Sequence, residues 1–257
     1  MWTSGDLLLP TPINNKMLLS YYEVYITSLR ACTAMGFPHG LNEDAAYITT
    51  WLELHKFDGI KKLSEFTKNY KKQIKRKISL NKLRSNKLIN INNSSLLLNG
   101  PGIIDILCEK TKKNNNLEIV IKNCKDPIYI IPIIKKISKK FYFIKVSWSD
   151  RQNKNCCISF KKNIIYIGEN NKNTVLYGDI ILQFLLKKDK SIEWKYNLDI
   201  SQIKKKINHN SYQKKLEDSL KPQKKYWNNV QKIADKSFVP ATKKSREKGA
   251  GGGDAND

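Results

Sequence analysis

Histidine and cysteine, the residues that most often bind transition metals in proteins, are scarce in this chain of 257 residues. The three histidines are far apart, and the five cysteines are an odd number without the paired spacing of a zinc site. The adjacent Cys156 and Cys157 raise the alternative of a metal or redox pair. Neighbouring residues of a strand point to opposite faces, however, so we expect reduced thiols and no metal site.

Long apolar runs are also missing. The longest, residues 128–134, contains Pro132 and is followed by two lysines, and it is much shorter than the roughly 20 residues that cross a bilayer. Residues 1–16 lack the basic start and the long apolar centre of a secretory signal. We therefore expect a cytoplasmic protein with no membrane segment, in which residues 1–16 form a disordered extension and Met17 is an alternative start.

Arginine is the third scarce residue. The formal net charge is +24, but only five of the 47 basic residues are arginine, and arginine is the residue that phosphate and base recognition favours. The lysines are spread along the chain, and the abundance of lysine, asparagine and isoleucine is typical of an A+T-rich genome. Residues 68–87 are a denser basic run that could follow a phosphate backbone, with Tyr70 as its one aromatic residue. Nonspecific nucleic-acid binding is therefore kept as a third functional alternative.

The first clear structural signal is a set of helices. Ser20 and Glu23 have the spacing of a capping box ahead of an apolar face, and Gly36 marks the end of that helix. Asn42 is predicted to cap a second helix whose apolar residues recur at three- and four-residue steps. A third short helix follows. Together they predict a helical unit over residues 17–67.

The rest of the chain contains both strand and helix patterns. Runs rich in isoleucine, tyrosine and phenylalanine predict strands at residues 117–121, 141–148, 156–160, 163–168 and 175–186, with 192–200 as a further candidate. Turn residues between the later runs predict an antiparallel meander. The Gly-Pro-Gly segment at 100–102 predicts a break before a helix at 103–110, and further helices are predicted at 133–140 and from Pro222.

A helical cluster combined with antiparallel strands predicts an α+β fold, with a central, mainly antiparallel sheet and flanking helices. We expect one domain over residues 17–240. Within it, a basic, linker-like segment at 68–95 would connect the helical unit to an α/β core at 96–240. Residues 241–257 have no apolar run and are glycine-rich, which predicts a flexible tail.

Two groups of residues resemble a known bacterial family. In the first helix pair they are Gly36, Gly40, Leu41, Glu43, Asp44, Ala45, Trp51, Leu52, Asp58 and Gly59. Near the C-terminus they are Trp227, Ala234, residues 238–242, Ser245, Arg246, residues 249–251, Asn256 and Asp257. On these residues the chain resembles the bacterial domain-of-unknown-function family 3726. The resemblance implies a shared fold and a bacterial, cytoplasmic setting, and it implies no reaction. Residues 252–255 depart from the leucine-threonine-aspartate run expected there.

The glycine-rich tail is the most unusual feature. Glycines let backbone amides approach an anion closely, and nearby side chains could add donors. We expect an arm that closes over a phosphate- or carboxylate-bearing ligand. Its predicted ligand-binding residues are Thr242, Ser245, Arg246, Gly249, Gly251 and Gly252. The alternative is a solubilising end. No helix follows the glycines, so the tail is not a nucleotide-binding loop.

His39 and Glu43 are the candidate catalytic residues. They flank the start of the second helix, where His39 could act as acid or base and Glu43 could orient it. The alternative is an ordinary surface histidine. His55 and Asp58 have the pattern of a helix end. No nucleophile elbow, paired-carboxylate motif or dinucleotide fingerprint is present, so neither a cofactor nor a metal follows from the sequence.

These features predict a cytosolic protein of bacterial small-molecule metabolism that binds an anionic small molecule or assists a partner enzyme. The alternative is an enzyme whose C-terminal arm closes over an anionic substrate. A deep pocket that gathers His39 and the tail would favour the enzyme, and a flat apolar patch would favour partner binding. A continuous basic groove would favour nucleic acid. The oligomeric state does not follow from the sequence.

Overall fold

The computed structural model describes residues 16–75, 88–149, 155–161, 164–169, 175–187, 202–208 and 216–238. The α-helices of the described residues are α1 (Tyr21–Ala34), α2 (Leu41–Leu54), α3 (Gly59–Thr67), α4 (Tyr70–Ile74), α5 (Leu96–Asn114), α6 (Ile130–Ile137) and α7 (Lys224–Ala234). Short 3-10 turns adjoin α6 and α7 at Pro127–Tyr129, Ser138–Lys140 and Asp235–Ser237.

The strands of the described residues form one sheet. They are β1 (Leu88–Asn90), β2 (Asn116–Lys122), β3 (Phe143–Ser149), β4 (Asn155–Lys161), β5 (Ile164–Glu169), β6 (Ile180–Leu185) and β7 (Gln202–Asn208). Their order across the sheet is β1-β2-β6-β3-β4-β5-β7. β1 and β2 are parallel, and every other neighbouring pair among these strands is antiparallel. The predicted α+β fold with a mainly antiparallel sheet is therefore confirmed.

The helices and one face of the sheet share a hydrophobic core. Ile144, Leu182 and Phe184 from the central strands are fully buried, and Trp51 of α2 and Ile103 of α5 are buried in the same cluster. α1 packs against both α2 and α7, and α2 also packs against α3 and α5. The N-terminal helices therefore contribute to the same interior as the sheet.

The first two helices begin in different ways. The capping box of α1 is confirmed, since the backbone N–H of Ser20 donates to Glu23 Oε2 at 2.7 Å and that of Glu23 donates to Ser20 Oγ at 3.1 Å. The predicted cap of α2 is wrong by two residues. Gly40, with a φ of +81°, is the N-cap, and Asn42 lies inside the helix with its Oδ1 accepting the N–H of Glu43. Glycine adopts this left-handed conformation without a steric penalty, so the turn ends before Asn42.

The predicted break at residues 100–102 is wrong, because α5 continues through them. Pro101 removes one helical hydrogen bond at a cost of about 3 kcal/mol. Three leucines in the first turn of α5 are buried, and burial of a leucine contributes about 2 kcal/mol, so packing outweighs that cost. Gly100 faces α6, where an added Cβ would lie 2.5 Å from Ile133 Cδ1. The glycine thus permits close packing of α5 and α6.

The predicted meander is right for β3, β4 and β5 and wrong for β6. β6 lies between β2 and β3, where Leu182 is opposite Ile119 on one side and Val146 on the other. Its apolar pattern identifies a strand but does not identify the neighbours of that strand. β6 therefore joins the two parts of the sheet instead of extending the meander.

Several predicted segments lie partly or wholly outside the described residues. α4 and β1 lie within the stretch predicted to be linker-like, residues 68–95. Residues 1–15, the strand candidate at 192–200 and the tail at 241–257 lie outside the described residues. Among the residues that are described, no helix combines the length and the apolar character that a membrane crossing requires.

The cysteine side chains that the structure describes are free thiols, as predicted. Cys32 and Cys124 are buried and Cys108 is half-buried. Burial raises the pKa of each thiol, to about 11 for Cys108. These cysteines are therefore protonated at neutral pH and are poor nucleophiles. The side chains of Cys156 and Cys157 lie outside the description.

Asp126 holds the N-terminus of α5. Its Oδ1 accepts the N–H of Leu96 at 2.9 Å, and its Oδ2 accepts the hydroxyl of Ser95 at 2.5 Å. Gln73 supports the same turn by accepting the N–H of Ser95 at 3.1 Å. Burial raises the pKa of Asp126 to about 6, although these hydrogen bonds and two neighbouring lysines act in the opposite direction. The cap is thus a carboxyl group that titrates near pH 6.

We expect the protein to become more stable as the pH falls from 7 to 5. Because the pKa of Asp126 is higher in the folded state than its ordinary 3.8, the folded state binds the proton more tightly, and this stabilisation is lost as the pH rises through about 6. The contribution should be on the order of 1 kcal/mol between the two pH values. Urea unfolding at pH 5 and 7 measures it. The Asp126→Asn variant should show a smaller pH difference than the wild type, and equal differences would contradict this assignment.

Candidate functional site

The catalytic residues predicted from the sequence lie on the surface. His39 is exposed in the turn before α2, and Glu43 is exposed in the first turn of that helix. Neither lines the pocket described below. The predicted tail residues, Thr242 to Gly252, lie outside the described residues. The position of the tail relative to His39 is therefore outside what the structure describes, and both assignments stay predictions.

A pocket of about 860 Å³ lies at the C-terminal end of α2. Its walls come from three parts of the chain, which are the turn between α2 and α3, strand β7, and the two paired segments that precede α1 and α7. In these segments the N–H of Leu19 donates to the Leu220 carbonyl at 3.0 Å, and the N–H of Met17 donates to the Pro222 carbonyl at 3.1 Å. The pocket is thus formed where residues distant in sequence meet.

Stacked aromatic rings support the α2–α3 turn. The rings of Trp51 and His55 are stacked with centroids 3.9 Å apart, and the ring of Phe57 is stacked 6.3 Å from that of Trp51. His55 Nδ1 also lies 2.9 Å from the Trp51 carbonyl oxygen. Lys56 and Asp58 both have positive φ, which turns the chain sharply and aims the carbonyl of His55 toward β7.

Lys205 of β7 is fixed against this turn. Its ammonium group lies 4.1 Å from the centroid of the Phe57 ring and donates a hydrogen bond to the His55 carbonyl oxygen. The pairing register of β5 and β7 shifts at this point, from Ile167 opposite Lys205 to Gly168 opposite Ile203. Such bulges redirect side chains at the edges of sheets. Lys205 therefore enters the pocket from the sheet, while the other lysines of the pocket come from the helices and connecting segments.

Glu53 is the half-buried carboxylate of the pocket. Its Oε2 accepts the N–H of Ile60 at 2.9 Å. The side chain that caps α3 is therefore that of Glu53, because Asp58, at the N-cap position, makes no side-chain cap hydrogen bond. Burial raises the pKa of Glu53, and the charge of Asp58 acts in the same direction, while the N–H groups of Ile60 and Gly59 lower it. Glu53 is therefore a hydrogen-bond acceptor held at a fixed position.

Gly59 brings α2 and α3 into direct backbone contact. A Cβ at this position would lie 2.0 Å from the Thr49 carbonyl oxygen and 2.7 Å from the Glu53 nitrogen, distances that real Cβ atoms do not adopt. Only glycine permits this approach. The position of Glu53 and the shape of the pocket therefore depend on this residue.

The pocket is rich in charge and has an excess of cations. Its basic residues are Lys16, Lys56, Lys61, Lys205 and Lys221, and its acidic residues are Glu53, Asp58 and Asp218. Lys61 also lies 5.8 Å from the Tyr226 ring centroid. A cleft with a local positive excess attracts anions. Within the described residues, no group of histidine, cysteine and acidic side chains has the arrangement of a metal site.

Sequence reasoning missed the residues that build this pocket. His55 and Asp58 have the pattern of a helix end, which they form, but the sequence does not show that Lys205 reaches them. That lysine stands in a run of three, and nothing local distinguishes it from its neighbours. The spacing of Trp51, His55 and Phe57 was the one available signal of an aromatic support.

The fold resembles those of solved dehydrogenases. The malate dehydrogenase of Pyrococcus horikoshii OT3 matches with a TM-score of 0.57 at 10% identity, covering 94% of this chain and 100% of that one. The sulfolactate dehydrogenase of Methanocaldococcus jannaschii matches with a TM-score of 0.57 at 8% identity, covering 86% and 97%. A dehydrogenase of Sinorhizobium meliloti matches with a TM-score of 0.58 at 9% identity, covering 85% of this chain and 99% of that one. At these identities the likeness shows a shared fold alone. No curated protein matches the sequence significantly.

The family resemblance is confirmed at the N-terminal end. The model of the family described as "Protein of unknown function (DUF3726)" matches residues 19–93. This region runs from the start of α1 to the turn after β1, and it includes Trp51, Glu53 and Gly59. Over these residues, which supply one wall of the pocket, the chain is similar to the DUF3726 family.

Proposed function

We propose that this protein is an enzyme of small-molecule metabolism that binds an anionic substrate in the pocket between the α2–α3 turn and β7. The observation that carries the proposal is the pocket itself, where five lysines outnumber three carboxylates in a cleft of about 860 Å³. A fixed ammonium group in such a cleft attracts and orients a small anion. The proposal favours the enzyme alternative over a purely accessory binding role.

The structural neighbours support the same proposal. Two of them are named for malate and sulfolactate, which are both small organic anions. They share only the fold with this chain, so the substrate class is argued from the pocket and not from their names. A small organic anion that bears a carboxylate or a sulfonate would fit the net positive charge of the pocket.

Dehydrogenases need a redox cofactor, and within the described residues the glycine turn before α2 is the candidate for binding a dinucleotide. Gly36 and Gly40 have positive φ and open space around them, and the turn leads directly into the helix. Glu43 and Asp44, however, occupy the first turn of α2, where a pyrophosphate would need a positive environment. These residues do not fit the group, and no redox step is assigned to this turn.

Thermal denaturation with a panel of anions tests the proposal. Malate, sulfolactate, lactate and phosphate would each be compared with potassium chloride at equal ionic strength. A ligand at 100 times its dissociation constant should raise the melting temperature by about 5 °C, because it binds only the folded state. Equal melting temperatures in all of these salts would contradict the proposal.

The same experiment also tests the predicted C-terminal arm. Deleting residues 248–257 should leave the melting temperature of the unliganded protein unchanged and should weaken the response to a binding anion, because the arm is proposed to close over the ligand. The full-length protein is the control. An unchanged response after the deletion would exclude the arm and would leave the pocket proposal intact.

A further inference from the structure

The pocket presents charges of opposite sign from two different elements. Lys205 reaches it from β7, and Glu53 reaches it from α2. Both contact the same short turn, because Lys205 bonds to the carbonyl of His55 while Glu53 bonds to the N–H of Ile60. If the proposed function holds, Lys205 and Glu53 together determine which anions the pocket binds.

Lys205 is the best-fixed cation of the pocket. Lys16, Lys56 and Lys221 are exposed. Lys61 is half-buried, as Lys205 is, but lies 5.8 Å from the Tyr226 ring centroid. Lys205 lies closer to its ring, at 4.1 Å from the Phe57 centroid, and is also hydrogen-bonded to the His55 carbonyl. The hydrogen bond to His55 fixes the position of the ammonium group without reducing its charge. A partly desolvated charge attracts an anion more strongly than a fully hydrated one. The anionic end of a ligand is therefore best placed against Lys205.

Glu53 can bind a hydrogen-bond donor of the same ligand. It is half-buried, and its carboxylate is held by the backbone of α3. Asp58 stands beside it and adds negative charge. A second anionic group placed here would be repelled, whereas a hydroxyl or ammonium group would donate a hydrogen bond to the carboxylate. Hydrogen bonds to charged groups are stronger than those between neutral groups.

We propose that the pocket selects small molecules that carry a carboxylate and, a few atoms away, a hydrogen-bond donor, with the carboxylate bound by Lys205 and the donor bound by Glu53. A second carboxylate, where the ligand has one, would lie toward the exposed Lys16, Lys56 and Lys221. The substrate class is thus hydroxy acids or amino acids, and simple carboxylates of the same length are disfavoured.

Malate, aspartate and succinate test this proposal, because they share one carbon skeleton and differ in a hydroxyl, an ammonium or a hydrogen at a single carbon. Titration calorimetry with the wild-type protein should show malate or aspartate binding about tenfold more tightly than succinate, the factor expected for one hydrogen bond to a charged acceptor. Which of the two binds more tightly distinguishes hydroxy acids from amino acids.

Two variants separate the roles of the pair. Glu53→Gln keeps an oxygen that can accept the Ile60 N–H, so it should keep the melting temperature and bring the three affinities within about threefold of each other. Lys205→Met should weaken all three ligands about tenfold or more. Lys206→Met is the matched control. Lys206 is the next residue of β7 and is exposed near Tyr166, so its replacement should leave every affinity unchanged.

The outcomes distinguish this inference from the proposed function. The proposed selection for a hydrogen-bond donor is wrong if the wild type binds succinate as tightly as malate and aspartate. It is also wrong if the Glu53→Gln variant still prefers malate or aspartate to succinate. In both cases the proposed binding of an anion in the pocket is unaffected. If Lys205→Met and Lys206→Met behave alike, Lys205 is not the anchor. If none of the three ligands binds while phosphate does, the inference fails alone. If no anion binds at all, the proposed function fails with it.

Discussion

Replacing Trp51 with alanine should lower the free energy of unfolding by about 4 kcal/mol, the usual cost of removing a large aromatic side chain from a core. Trp51 is 1% exposed, and its ring supports those of His55 and Phe57. The cavity would also release the ring against which Lys205 lies. The same variant should therefore lose anion binding even at temperatures where it remains folded. Urea unfolding and ligand titration at low temperature measure the two effects.

Two control variants define what is specific to this position. Trp51→Phe keeps an aromatic ring and should recover roughly half of the lost stability. Tyr22→Ala removes an aromatic ring of α1 that is 70% exposed and should change the free energy of unfolding by no more than about 0.5 kcal/mol. A Trp51→Ala protein within 1 kcal/mol of the wild type would show that the aromatic stack does not support the turn.

Gly59→Ala is expected to be the second most disruptive change. The new Cβ would lie 2.0 Å from a backbone oxygen of α2, and backbone atoms cannot rotate away as a side chain can. α2 and α3 must therefore separate, at a cost of about 3 kcal/mol. The separation would also displace the Ile60 N–H from Glu53, so the discrimination between malate and succinate should disappear together with the stability.

Gly102→Ala is the matched comparison for this change. Gly102 lies inside α5, and a Cβ there would have no atom within 4 Å. Alanine is the better helix former, so this variant should gain about 0.5 to 1 kcal/mol. Thermal unfolding of both variants in the same buffer makes the comparison. Similar effects of the two substitutions would mean that the contact at Gly59 does not restrict the packing of α2 and α3.

Local signals in the sequence predicted much of the fold. The capping box of Ser20 and Glu23 is a contact between residues three apart, and the strand patterns of β2, β3, β5 and β6 record which faces are buried. Errors arose where distant contacts decide the outcome. α5 passes through Pro101 because its leucines are buried by other elements, and β6 inserts beside β3 because of pairing across the sheet. Neither contact has a local signature.

The candidate site was predicted less well than the fold for the same reason. Its members Glu53 and Lys205 are about 150 residues apart in sequence and meet only when β7 reaches the α2–α3 turn. Glu53 resembles any acidic residue near a helix end, and Lys205 resembles its neighbouring lysines. The family match reaches one wall of the pocket, residues 53–61, and ends long before β7. The chemistry of the pocket therefore had to be derived from the folded chain.

The position of β6 has a consequence for synthesis on the ribosome. β3, β4 and β5 can pair with one another as soon as they emerge, but β2 has no antiparallel neighbour among the described strands until β6 arrives about 60 residues later. A nascent chain that ends before Ile180 holds two incomplete sheets with exposed edges, which are prone to wrong pairing. Any shortened version made for expression should therefore retain residues 180–185, since these alone connect β2 to β3 in the sheet that the structure describes.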